Sequence, residues 1–408
     1  MQSSCIKCKG RKFCGKSFCP IYAKADNMFK LSRRIKKDFL SSSPAPFIGR
    51  HNYPNINVGV LSPPEKEKDA WLYDAPVYWS EKNFTIKDII TLRSSLINSR
   101  FKSNVINIKQ PNKFLEIAQE IGLAYKPVDI EVELKKEPKV SVRPDSINMP
   151  MGPNASLKKV SITTNTKILP KVDKVHYDTD LKSNEGLKIL YSKGINENSL
   201  SKILSVGALG LKKNRKLVPT RWSITAVDDT LGKELIKQTK QYNEIDYSLY
   251  FGDYFGNYYL ILFFPYVWSY ELFETYMPSS LWNPNQKLGT STDYENYDGR
   301  KRYAENCGGG YYAARISILK KLVQLKRQAS ILVLRFVTDE YSAPLGVWVC
   351  REAVKKTLQS KPIYFETKEQ LLKEAKFLIL RKFKYNIESL LKESQLLEQL
   401  KQTKLINF

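Results

Sequence analysis

The spacing of apolar residues along the chain predicts short elements of both kinds. Phe47–Pro64 reads as two short strands punctuated by Gly and Pro. Phe114–Leu123 has helical spacing, and Ile130–Leu134 alternates like a strand with one buried face. Leu181–Tyr191 and Ser199–Ser205 read as helices parted at Gly194, while Ser223–Ala226 is strand-like and leads toward a helix through Lys237. Tyr247–Phe251 and Tyr258–Phe264 predict an aromatic hairpin turning within 252–257. Ala313–Gln328 is an amphipathic helix, Ile331–Val337 a buried strand, and Glu352–Leu358 and Lys368–Leu380 are helices. From Ile387 onward Leu390, Leu391, Leu397 and Leu400 are spaced for one helical face. Ser41–Pro46 reads as a linker or turn, and Lys135–Arg143 as an exposed basic loop. Strands and helices mix without βαβ alternation, which favours an α+β core.

Composition adds a direction. The 408 residues are 42% apolar and 26% charged, enough to bury a sizeable core in two or three units. Lys and Arg number 66 against 41 acidic residues, a formal charge of +25. That excess favours a polyanionic partner, nucleic acid before acidic lipid, with a lysine-rich thermophile surface as the plain alternative. The two histidines, His51 and His176, form no HExxH pair, and no GxxxxGK[ST] loop occurs, which excludes those peptidase and ATPase classes. The longest mainly apolar run, Tyr258–Trp268, is too short to span a membrane. The sequence MQSSCIKCKGRK carries charge and cysteine where a signal peptide has an apolar stretch. A soluble cytoplasmic, nucleoid-associated protein is expected.

Four of the six cysteines, Cys5, Cys8, Cys14 and Cys19, fall within fifteen residues. Four thiolates so close suit a closed tetrahedral structural zinc site, with an iron–sulfur cluster or a redox pair as alternatives. Eleven Lys/Arg among the first forty residues, against Asp26 and Asp38, offset the thiolate charge and could contact nucleic acid. At the other end, Gln402-x-x-Leu405-x-x-Phe408 resembles the peptide by which replication and repair proteins dock on the PCNA sliding clamp. One helical turn would put Leu405 and Phe408 on one side as a plug, with Gln402 at the rim.

Within the core, RKLVPTRWSITAVDDT is the densest candidate. Arg215, Lys216 and Arg221 suit phosphate, and Asp228 and Asp229 could hold Mg²⁺ for nuclease chemistry, so that Arg221, Asp228 and Asp229 are the catalytic candidates. Equally, Asp228 could cap the helix that follows. Asp173, His176, Asp178 and Asp180 are metal-compatible, though Asp178 and Asp180 also make an ordinary helix start. Arg50, and Gly308–Gly310 with Arg315 one turn into a helix, offer further phosphate contacts or simple packing. The aromatic stretch Tyr247–Tyr276 is read as hairpin core before base-stacking platform.

Six segments taken together carry a resemblance: PFIGRHNYPNINVG (46–59), MPMGPNASLKK (149–159), VDKVHYDTDLK (172–182), RKLVPTRWSITAVDDTLGKEL (215–235), YAENCGGGYYAAR (303–315) and APLGVWVCRE (343–352). They resemble the archaeal NreA family of DNA repair proteins over nearly the whole chain. The resemblance implies a role in archaeal DNA repair and an interaction with PCNA. It divides the chain into a basic zinc knuckle (1–40), an NreA-like N-terminal region (45–285), a C-terminal region (295–385) and a helical tail with the clamp peptide (386–408). The expected function is a repair factor that binds DNA and docks on PCNA, with a metal-dependent nuclease or nucleotide-directed activity left open. A non-enzymatic repair adaptor and an RNA-processing protein are the alternatives.

Overall fold

The computed structural model describes residues 8, 10–11, 13, 15, 17–138, 150–278, 280–283 and 285–405, the last four as backbone only. The chain folds as two units, one of residues 5–231 and 343–345, the other of 1–4, 232–342 and 346–408. Each contains one six-stranded sheet, and helices and strands are mixed in both, as an α+β reading requires.

In the first unit, β1 (Asp38–Ser43) pairs with β5 (Val128–Leu134), and β5 with β6 (Asn154–Ile162). Next, β6 runs parallel to β4 (Ile97–Asn104), β4 pairs antiparallel with β3 (Asn55–Ser62), and β3 with β2 (Ala45–Ile48). The two edge strands, β1 and β2, are separated only by Pro44, so one bent strand closes the sheet into a barrel. Closure is tied by Ser41 and Ser43, whose hydroxyls donate to the Pro63 and Leu61 carbonyls at 2.6 and 2.7 Å. Ser41–Pro46 is therefore not a linker. Its polar residues mislead because they bond the neighbouring strand from inside the sheet. The barrel interior follows the alternation of its strands: Val60, Ile97, Ile130, Val132, Leu157 and Val160 meet Ile117 and Ile121 of the helix Lys113–Leu123. Asn112 caps that helix by accepting the Leu115 N–H at 3.1 Å.

The second unit is a sheet covered by helices on both faces. Its order is β10 (Gly289–Glu295), β9 (Ser269–Tyr276), β11 (Ser330–Val337), β8 (Asn257–Phe264), β7 (Ser248–Tyr254) and β12 (Ile363–Tyr364). The predicted aromatic hairpin is β7–β8, closed more tightly than expected at Phe255–Gly256. On β8, Leu260, Leu262 and Phe264 pack with Leu371, Ile379, Leu396 and Leu400 of the C-terminal helices. The intervening Tyr259, Ile261 and Phe263 face the other way and are fully buried. Burial on both faces explains the unbroken apolar run of this strand, and makes the aromatic stretch core rather than a platform for bases. The run from Ile387 is two short helices, Glu388–Glu393 and Gln395–Leu405, not one. No helix among the described residues is long and apolar enough to cross a membrane.

Candidate nucleic-acid interface

Four stretches of the first unit, 39–62, 97–112, 150–172 and 198–227, hold fourteen Lys/Arg and no Asp or Glu. The fold brings parts of all four together. The turn 49–54 joins β2 to β3 and is pinned by backbone bonds from Gly49 N to Asn57 O (2.8 Å), Asn55 N to Asn52 O (2.8 Å) and Val105 N to Pro54 O (3.0 Å). At its root the Ile48 N–H donates to Thr220 Oγ1 at 2.9 Å, which sets the start of the helix Thr220–Thr239 beside the turn. Tyr53 and Trp222 then meet with ring centroids 5.2 Å apart, and both remain more than two-fifths exposed.

Around this aromatic pair stand Arg50, half-buried in the turn, and Arg221 and Lys216, both exposed. Below it, β3 and β4 present one outward row. Asn57 and Gly59 of β3 are register partners of Lys102 and Arg100 of β4, and Ser156 of β6 is the next partner of Arg100. The Asn98 side chain lies across Gly59 so closely that any Cβ there would strike its carboxamide oxygen, and that buried oxygen has no hydrogen-bond partner. Burial pushes the pKa of the half-buried Arg100 guanidinium down. No ion pair joins Arg50, Arg100, Lys102, Lys216 or Arg221 to any carboxylate among the described residues. Five unneutralised cations flanking exposed aromatic rings form an anion-attracting surface with apolar stacking area.

The other sequence-predicted residues lie elsewhere. Ser223–Ala226 belongs to the helix Thr220–Thr239, so Asp228 sits in mid-helix, fully buried, and cannot cap it. The strand-like reading failed because Ile224 and Thr225 are β-branched, yet the inward positions Ser223, Val227 and Leu231 keep helical spacing, and packing on that face overrides local propensity. Asp229 is its neighbour, and consecutive helical positions point about 100° apart, so the pair does not make a Mg²⁺ site by itself. Arg215 is engaged internally: it donates to the Gly210 and His176 carbonyls at 2.9 and 2.5 Å, which uses its fork to lock a turn instead of leaving it for phosphate. His176 bonds the Ala208 carbonyl at 2.9 Å, and burial lowers its pKa. Asp178 closes the helix Pro170–Tyr177 and accepts the Asp180 and Leu181 N–H groups in the turn that follows, whereas the helix Ser183–Ser192 starts at Lys182 without a side-chain cap, so Asp178 shapes the turn and does not start the helix.

In the second unit Arg315 is fully buried and paired with Glu295 at 2.7 Å, which removes it from any phosphate. The glycine run before it serves packing: a Cβ on Gly310 would strike the Glu274 carboxylate, itself ion-paired to buried Arg335. Of the zinc candidates, Cys8 and Cys19 are buried with free thiols, and Cys19 Sγ accepts the Tyr22 N–H at 3.5 Å as N-cap of the helix Pro20–Ser32. Cys5 and Cys14 lie outside the described residues, among which no group of three or more metal-ligating side chains occurs. The helix Gln395–Leu405 carries the backbone of Gln402 and Leu405, and Phe408 lies outside the described residues.

The family model described as Archaeal Nre, N-terminal matches residues 13–283, and that described as Archaeal Nre, C-terminal matches residues 295–408. The chain belongs to the archaeal Nre family. Among Nre relatives, DNA repair protein NreB of Archaeoglobus fulgidus is 37% identical over 371 residues, covering 90% of this chain and 91% of that protein. DNA repair protein NreA of the same organism is 37% identical over 375 residues, 91% of this chain and 92% of its own length. DNA repair protein NreA of Haloferax volcanii is 36% identical over 331 residues, 80% of this chain and 79% of its own length. No solved structure matches this Nre chain. Arg100 and Lys102 went unnoticed in the sequence. The absence of any acid from 97 to 112 was the available signal.

Proposed function

We propose that this Nre protein is a DNA repair factor that binds DNA through the surface around Arg50, Arg221 and Lys216. The names of its relatives, all DNA repair proteins, support the setting. One observation carries the binding surface: unpaired cations and exposed aromatic rings, far apart in sequence, are brought together by the Ile48–Thr220 bond from segments that contain no acid. Phosphate contacts there would make affinity fall with salt. The same reading gives Cys5, Cys8, Cys14 and Cys19 to a structural zinc, which would supply folding energy to a segment with little core. It gives Gln402, Leu405 and Phe408 to PCNA, with the Gln-x-x-Leu-x-x-Phe spacing as support. The test is a salt titration of DNA binding by the wild type and by Arg50→Ala/Arg221→Ala. The double variant should lose affinity at low salt, and its log–log salt slope should be shallower by about 2, near one unit per phosphate contact. An unchanged slope with unchanged affinity removes this face from the DNA contact.

A further inference from the structure

The barrel of the first unit has a specific circuit. With β1 and β2 taken as one strand bent at Pro44, the order is first, second, third, fifth, fourth and back to the first. The third and fifth strands, β4 and β6, are parallel, and the helix Lys113–Leu123 lies between the third and fourth strands in the chain. That is the circuit of an OB-type barrel, a five-stranded Greek key. Such barrels take ligands on the outer face of the second and third strands, between the loops that join strands one to two and four to five. In this chain the first two of those parts are the outward row of β3 and β4 and the turn 49–54, while the connection between the fourth and fifth strands, with the basic stretch Lys135–Arg143, runs through 139–149, outside the described residues. The Arg100–Lys102 row and the Tyr53–Trp222 pair thus fall where an OB-type barrel holds a ligand.

We propose that this face is a cleft for single-stranded DNA. Resting on the DNA-binding reading above, it names the form of DNA bound. The backbone crosses Arg100 and Lys102, which stand about 6.8 Å apart along β4. Unpaired bases stack on Tyr53 and Trp222, whose faces are open only to a base that has left its duplex partner. The unpartnered Asn98 carboxamide oxygen can accept an N–H from a base or ligand reaching Gly59. A saccharide would also stack on the rings, but the β3–β4 row and the turn 49–54 carry cations and no carboxylate, which selects phosphate.

The experiment measures anisotropy with the full chain, using a labelled oligothymidylate of about 20 nucleotides, longer than one such site, and a duplex with the same number of phosphates. Wild type should prefer the single strand. Trp222→Ala and Tyr53→Ala should each weaken single-strand binding by about 5- to 100-fold, weaken duplex binding by much less, and leave the melting temperature unchanged. Arg100→Gln/Lys102→Gln should flatten the single-strand salt slope. Equal binding of both forms by wild type, or ring variants that bind the single strand as wild type does, would overturn the single-strand cleft while leaving DNA binding intact. Loss of neither form in the ring variants, combined with an unchanged slope in Arg50→Ala/Arg221→Ala, would overturn both readings. Binding of oligouridylate without oligothymidylate would also overturn the proposal.

Discussion

Removing the carboxylate of Glu271 should loosen the C-terminal helix from its sheet. Glu271 is fully buried on β9. One oxygen accepts the Ser394 hydroxyl at 2.5 Å and the Leu396 N–H at 3.0 Å, and the other accepts the Gln395 N–H at 3.2 Å. Ser394 in turn accepts the Leu397 N–H at 3.1 Å. The first three N–H groups of the helix Gln395–Leu405, which lack intrahelical partners, are thus filled by one hydroxyl and one buried carboxylate. Glu271→Ala would strand the buried Ser394 hydroxyl and Leu396 N–H, while Gln395 can turn to water. Hydrogen bonds to a charged group contribute about 1.5–3 kcal/mol each. Release of a desolvated carboxylate offsets part of the loss, which leaves about 2–4 kcal/mol. For a unit of this size that corresponds to about 4–16 °C in melting temperature. Burial pushes the Glu271 carboxyl above its ordinary 4.5, and the Ser394 and backbone bonds offset this only in part. Between those two values the folded chain holds more protons than the unfolded one, so this contribution to stability declines as pH rises through the window. The advantage of wild type over Glu271→Gln should shrink upward from pH 4.5 and level off once the carboxyl is ionised. Hydrogen exchange of residues 395–405 with thermal melts across pH tests this. If Glu271→Ala melts like wild type and the helix amides stay equally protected, the anchoring argument is wrong.

Three further outcomes are expected. Purified protein should carry about one zinc per chain, and Cys14→Ser should lose it; metal content measured before and after the substitution decides the ligand set. Phe408→Ala should weaken PCNA binding by about tenfold or more with an unchanged melting curve, as titration of the clamp would show; a lowered melting temperature would instead place Phe408 in this protein's own core. Gly310→Ala should cost about 1–3 kcal/mol by driving a methyl into the buried Glu274–Arg335 pair, read from denaturant unfolding, and a neutral result would mean the helix start moves aside freely.

Elements whose periodicity is set by burial on a single core were legible in the sequence, as the helix Lys113–Leu123 and the strand Val128–Leu134 illustrate. Those whose polar residues are satisfied inside the sheet were not. Ser41–Ser43 spend their hydroxyls on neighbouring strands, and so mimic a linker. The candidate site was legible in half: Arg50, Lys216 and Arg221 are marked by charge and by company, and they do share one face. Arg215 and Arg315 carry the same signal but are internal, because an arginine fork serves a carbonyl or a buried carboxylate as well as a phosphate. Tyr53 and Trp222 could not be paired from sequence, since the bond that joins their segments, Ile48 to Thr220, spans most of the first unit.

The strand bent at Pro44 also dictates an order of events during synthesis. It is made early, yet its first half pairs with β5, and β6 must then slot between β5 and β4. Until residue 162 has left the ribosome, Phe39, Val60 and Ile97 have no completed interior to enter. The nascent chain therefore carries open strand edges for a long interval, the condition in which wrong pairings form. The serine-rich β1 and the Arg100–Lys102 row of β4 work against such pairings, so the charge proposed above to draw DNA to the finished barrel would also guard the unfinished one.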